Sequence, residues 1–231
     1  MIELDGVAFR YQEMRMAFDL SVERGAFVAI IGPSGAGKTT LLNLIAGFDR
    51  PASGRVLIDG VDVTGRKPAD RPVTTLFQEH NLFAHLTVFQ NIGLGIHPGL
   101  KLTAEDRRRM EEALSLVGLD GFADRLPRQL SGGERQRVAL ARSIVRDRPI
   151  LLLDEPFAAL GPAQRREMMG LVPRLREDRK LTVLMVSHQL DDAEALPGRA
   201  LFVQDGRILC DGLIRDFLTD PPIPEIADYL G

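Results

Sequence analysis

Apolar and polar positions alternate from Ile2 to Val22 in two patches separated by a polar turn, and again from Arg55 to Asp59 ahead of Gly60. That period predicts short antiparallel strands with one covered face. Phe27-Val28-Ala29-Ile30-Ile31 is instead apolar without a break, as a strand covered on both faces would be. A helix is expected from Lys38, with Leu41, Leu44 and Ile45 on one face and Gly47 as its stop. Between Phe83 and Arg148 the period becomes helical, with Thr103 capping a helix through Val117 and a second helix running from Ser131 to about Asp147. Buried strands then return at Ile150–Leu153 and Thr182–Val186, with a helix opening at Pro162 between them. Leu201-Phe202-Val203 and Arg207-Ile208-Leu209 surround Asp205-Gly206, a strong hairpin signal. The pattern predicts an α/β protein: a mainly parallel core sheet, an N-terminal antiparallel β part and an inserted helical part.

Charge narrows the partners. Lys and Arg number 29 against 32 Asp and Glu, a net −3, so no basic surplus exists to neutralise a nucleic-acid backbone and nucleic acid is not expected as a partner. The run Arg107-Arg108-Arg109 lies among Glu105, Asp106, Glu111 and Glu112 and reads as a solvated helix face. Cys210, the single cysteine, cannot form an internal disulfide and is expected as a small core residue in a reducing compartment. The start Met1-Ile2-Glu3-Leu4-Asp5 lacks the features of an export signal, and no apolar run approaches the roughly 18 residues of a membrane span. Any membrane association is therefore expected through a partner.

The chemistry concentrates in two segments. Gly32-Pro33-Ser34-Gly35-Ala36-Gly37-Lys38-Thr39 fits G-x-x-x-x-G-K-[ST], in which backbone N–H groups curl around phosphate oxygens at the positive end of a helix. Lys38 would neutralise the β- and γ-phosphates, the Thr39 hydroxyl would ligate Mg²⁺, and Thr40 extends the phosphate-binding set. A plain glycine turn is the competing account, but the segment joins a buried strand to an amphipathic helix, the context that a phosphate loop requires. Asp154 and Glu155 follow the apolar run Ile150–Leu153, which suits the first to the metal and the second to the attacking water. Alone, such a pair could simply cap a turn. His188 ends the third buried strand in the same manner. Ser131-Gly132-Gly133-Glu134 forms an S-x-x-E capping box whose glycines leave backbone donors bare, a second anion-binding helix start with which two copies arranged head to tail could complete each other's site.

Leu130 to Glu134, lying between the two segments, resembles the hallmark of the ATP-binding cassette family, and the resemblance covers essentially the whole chain. It implies a nucleotide-binding core at 1–82 and 149–231 with a helical subdomain at 83–148. It implies that Tyr11 stacks on adenine, that Gln78 senses Mg-ATP, and that His188 is the switch histidine. By the same resemblance Ser131, Gly132, Gly133 and Glu134 meet the γ-phosphate held by a second copy of the chain. The resemblance departs at Gly161, where cassettes commonly carry Asp after the pair matched by Ala159-Leu160.

Arg71-Pro72-Val73, Phe77 to Phe83, Asn91 to Gly95 and His97 to Leu100 are similar, more finely, to the ATPase subunit of bacterial thiamine importers. That similarity implies an ATP- and Mg²⁺-dependent motor on the cytoplasmic face of the inner membrane, held peripherally by membrane-spanning permease subunits and served indirectly by a periplasmic solute-binding protein. An importer for another solute, a small P-loop kinase and a regulatory module that binds ATP without hydrolysing it remain open.

Overall fold

The computed structural model describes residues 1–77, 82–158, 160–187 and 198–230. Strands β1 (Ile2–Tyr11) and β2 (Met14–Val22) form an antiparallel hairpin from Ile2 opposite Val22 to Tyr11 opposite Met14. Strand β3 (Phe27–Ile31) runs into the glycine-rich loop, and α1 (Lys38–Ala46) follows it. Next come β4 (Ser53–Ile58), β5 (Val61–Asp62) and β6 (Val73–Leu76), then helices α2 (Val88–Gly93), α3 (Ala104–Leu116) and α4 (Gly132–Ile144). The chain continues through β7 (Ile150–Asp154), α5 (Pro162–Arg179), β8 (Thr182–Val186), β9 (Arg199–Gln204) and β10 (Arg207–Leu213). It finishes with helices α6 (Ile214–Thr219) and α7 (Pro224–Leu230).

Among the described residues the strands form one sheet of ten, ordered β5-β4-β1-β2-β10-β9-β3-β8-β7-β6. Its half from β9 to β6 is parallel, and the other half is mainly antiparallel. The antiparallel part is therefore continuous with the core. The C-terminal hairpin supplies the junction, since β10 touches β2 through the pair Arg207 and Ala17.

The unbroken apolar strands bury both faces because each face has its own core. Ala29 and Ile31 of β3, Leu151 and Leu153 of β7, Val183 and Met185 of β8 point toward the side covered by α2 to α5. Their neighbours Val28 and Ile30, Ile150 and Leu152, Leu184 and Val186 point toward α1 and the N-terminal strands. Alternation of period two thus splits each strand between two cores, every side chain larger than alanine adding roughly 1.5–3 kcal/mol of burial.

Helix ends follow their local chemistry. Thr103 and Asp106 form a capping box at α3, and Gly47 closes α1 in the left-handed conformation. Helix α4 stops at Ile144 rather than near Asp147, because Asp147 itself is left-handed with φ 53° and its N–H donates to the Ile144 carbonyl. Cys210 is half-buried at the margin of the core, since β10 covers only alternate positions and none of them fully.

Candidate functional site

The glycine-rich loop emerges at the carboxyl end of β3, where ligands bind in open α/β sheets. Gly32 (φ 142°), Gly35 (φ 78°) and Gly37 (φ 100°) all take left-handed backbone conformations. Gly32 also has no room for a side chain, because a Cβ there would lie 2.0 Å from the Val203 carbonyl oxygen. The loop is braced by the tip of the adjacent β9–β10 hairpin, where the Gly206 N–H donates to the Ala36 carbonyl at 2.9 Å. Ser34, Gly35 and Thr39 are exposed, while Lys38 beneath them is buried.

Lys38 Nζ donates to the carbonyls of Gly32 and Pro33 at 2.7 and 2.8 Å. Burial pushes its ammonium below the usual lysine value, and the charges of Glu155 and Asp154 oppose that. Thr39 and Asp154, 115 positions apart, meet directly, the threonine hydroxyl donating to Asp154 Oδ1 at 3.1 Å. Burial holds the Asp154 carboxyl above the ordinary aspartate value. The Thr39 hydrogen bond and Lys38 pull it down, and neighbouring Glu155 pushes it further up. A hydroxyl and a carboxylate converging beside a phosphate loop are hard oxygen donors, and they fit a magnesium ion.

Glu155 is left-handed with φ 46°, a conformation costing a non-glycine residue about 1 kcal/mol. Its N–H donates to the Val186 carbonyl at 3.1 Å, so β8 fixes the turn that carries it. Tyr11 ends β1 and is 59% exposed, enough surface for a stacking partner. The strand register sets it opposite Met14, two positions before Met16, whose Sδ lies 3.3 Å from where Gly37 would carry a Cβ. Gln78 and His188 lie outside the described residues.

The second helix start forms the expected capping box. The Ser131 N–H donates to Glu134 Oε2 at 2.7 Å, and the Glu134 N–H donates to the Ser131 hydroxyl at 3.2 Å. Those bonds hold the Glu134 carboxyl below its ordinary value. Ser131, Gly133 and Glu134 line a cavity with Gln164 and Glu167 of α5, and no residue of the glycine-rich loop lines it. The loop, Asp154 and Glu155 are thus one cluster, and Ser131 to Glu134 belong to another surface.

A third feature is a groove of about 380 Å³ between α1, β6 and α4. Phe48 and Phe77 form its rim, exposed and with ring centroids 5.4 Å apart, and Phe83 stands exposed across from them. Arg142 of α4 and Arg146, just past its end, line it too, and burial is the first cause lowering the pKa of both guanidiniums. Buried Asn91 anchors the Phe83 loop. Its Oδ1 accepts from the Phe83 N–H at 2.8 Å, and its Nδ2 donates to the carbonyls of Phe83, Leu86 and Thr87 at 3.1, 3.0 and 3.0 Å.

Three contributors escaped the sequence reading. Met16 of β2 and Gly206 at the tip of the C-terminal hairpin lie against the loop, and Tyr229 reaches it from α7. The Asp205-Gly206 turn signal identified the hairpin but not what it touches.

The family profile described as ABC transporter matches residues 16–158. The thiamine import ATP-binding protein of Chelativorans sp. (strain BNC1) is 55% identical over 232 residues, spanning 100% of this chain and 94% of its own length. Its counterpart in Escherichia coli (strain K12) is 55% identical over 219 residues, covering 95% of this chain and 94% of its own. Among solved structures, the dimeric post-hydrolysis state of the cassette MJ0796 bound to ADP and Pi superposes with a TM-score of 0.79 at 32% identity. It covers 93% of this chain and 99% of that one.

Proposed function

The chain belongs to the ABC transporter family of ATP-binding cassettes, and from that premise we propose that it is the ATP-hydrolysing subunit of a bacterial importer whose solute is thiamine. The observation that carries the ATPase reading is the junction of Thr39 with Asp154, beside Lys38 and one residue from Glu155. Thiamine comes from the relatives' names at 55% identity over the whole chain, not from any residue's chemistry.

Phosphoryl transfer through a loose transition state asks the protein mainly for position and charge. The loop N–H groups and Lys38 receive the phosphate oxygens, and Tyr11 takes the adenine on its exposed face. Thr39, Asp154 and Gln78 would hold Mg²⁺, which neutralises charge on the β- and γ-phosphates when bound. Glu155 orients the attacking water and accepts its proton, and His188 is assigned to the γ-phosphate by the family resemblance. The proposed division is a core of 1–82 and 149–231 and a helical lobe of 83–148. Supporting it, α2, α3 and α4 pack on one another.

The chain works as a pair in this reading. Each copy offers Ser131, Gly132, Gly133 and Glu134 to the nucleotide of the other, and the dimeric ADP-bound relative supports the arrangement. The aromatic and cationic groove receives a cytoplasmic segment of the permease, which in turn meets the periplasmic solute-binding protein. No helix among the described residues is long and apolar enough to cross a membrane, so attachment to the cytoplasmic face of the inner membrane falls to the permease. Reconstitution with permease and solute-binding protein in vesicles tests this. ATP-dependent thiamine uptake with phosphate release is expected. ATP binding without turnover in that complex would leave a regulatory module, and turnover that moves a different solute would overturn thiamine alone.

A further inference from the structure

The last helix, α7, reaches the phosphate loop. Ile226 is fully buried in the core beneath the parallel sheet, which docks the helix. One turn later, Tyr229 sets its half-buried ring edge-on against Phe202 of β9, with centroids 5.6 Å apart. Phe202 pairs in register with Ile31, the last residue of β3, so the aromatic pair sits beside the point where strand becomes loop. From there Tyr229 is hydrogen-bonded to the backbone of Gly32, and it lies near enough to Glu155 to feel its charge.

Gly32 is therefore held from several sides. Its Cα is backed by the Val203 carbonyl, its own carbonyl accepts from Lys38 Nζ at 2.7 Å, and its backbone is tied to Tyr229. Packing alone would be served by phenylalanine at 229, which would keep the ring on Phe202. The hydroxyl is the group that bonds the Gly32 backbone. We propose that Tyr229 is a positioning residue of the nucleotide site, tying the C-terminal helix to the Gly32 peptide and keeping the phosphate loop in the shape that receives ATP. This rests on the reading of Gly32 to Thr39 as that site.

Tyr229→Phe is the test, measured in the full chain with ATP and ADP. Loss of one neutral hydrogen bond to the loop is expected to weaken nucleotide affinity about five-fold. Turnover at saturating ATP stays near that of the unaltered protein, so the effect lies in KM rather than kcat. The chain has two tyrosines, and ring-labelled tyrosine therefore gives two NMR signals, of which Tyr229→Phe removes one and so assigns it. That signal is expected to shift on adding nucleotide. Undiminished affinity in Tyr229→Phe overturns the proposal, as does a Tyr229 signal indifferent to saturating ATP, which would mark the residue as packing only. Unaltered protein that fails to bind ATP, or binds it equally well after Lys38→Ala, would overturn the nucleotide site itself together with this proposal.

Discussion

Burial raises the Asp154 carboxyl above its ordinary range, so at neutral pH the folded chain keeps an anion that the unfolded chain holds more easily. An acid raised by folding binds its proton more tightly in the folded state. Its contribution to stability is greatest below the ordinary aspartate value, falls as pH climbs to the raised value, and stays lower beyond it. Asp154→Asn is therefore expected to raise the thermal midpoint of the nucleotide-free protein at neutral pH while Mg²⁺ ceases to strengthen ATP binding; calorimetry with and without Mg-ATP checks both, and a lowered midpoint would contradict the first. Lys38→Ala removes charge-assisted hydrogen bonds to phosphate and is expected to weaken ATP binding by about 10- to 100-fold in equilibrium titration. Glu155→Gln should leave ATP bound while slowing phosphate release by about 100-fold or more. Unchanged turnover in that variant would remove Glu155 from the chemistry.

At the scale of elements, two ends differ in how well they are finished. Helix α5 begins at Gly161 with extended φ −67° and no side-chain cap, and a Cβ at that position would meet nothing closer than Gln164 Oε1 at 3.7 Å. Glycine is not demanded there by backbone or space. Gly161→Asp is expected to add a few tenths of a kcal/mol, roughly, by capping the helix, readable as a small rise in denaturation midpoint. The Phe83 loop shows the opposite, a short segment held by one buried amide. Asn91→Asp cannot donate to these carbonyls; those of Phe83 and Thr87 keep the Leu86 and Asn91 backbone N–H groups, that of Leu86 loses its donor, and a loss of roughly 1–3 kcal/mol is expected, with permease-stimulated turnover falling more than basal turnover. The cores, caps and hairpins were legible in the sequence because each leaves a local period or a cap residue, as at Thr103 and Asp205-Gly206. The left-handed Glu155 and the contact of Gly206 with Ala36 were not, since both arise from strands brought together across the sheet. Tyr229 escaped for a related reason: a lone tyrosine after Pro221, Pro222 and Pro224 carries no local motif, and its partners Phe202 and Gly32 come from distant strands.

For the whole molecule, the proposed function has a second copy bring its Ser131 to Glu134 to the nucleotide, since the two surfaces are separate within one chain. Chains carrying Ser131→Arg mixed with chains carrying Lys38→Ala should regain one working site per mixed pair, measured as phosphate release above either variant alone. Verified mixed dimers with no recovery would count against a shared site. The strand that carries the loop has a further consequence. Both sheet neighbours of β3 come from the final quarter of the chain, β8 on one side and β9 on the other. A ribosome that has released Gly32 to Thr39 has thus made the binding motif but not its walls, which arrive only once Thr182 and the residues after it have been added. A nascent chain stalled ahead of Thr182 should be blind to ATP, so no half-made motor can spend fuel before it is able to turn.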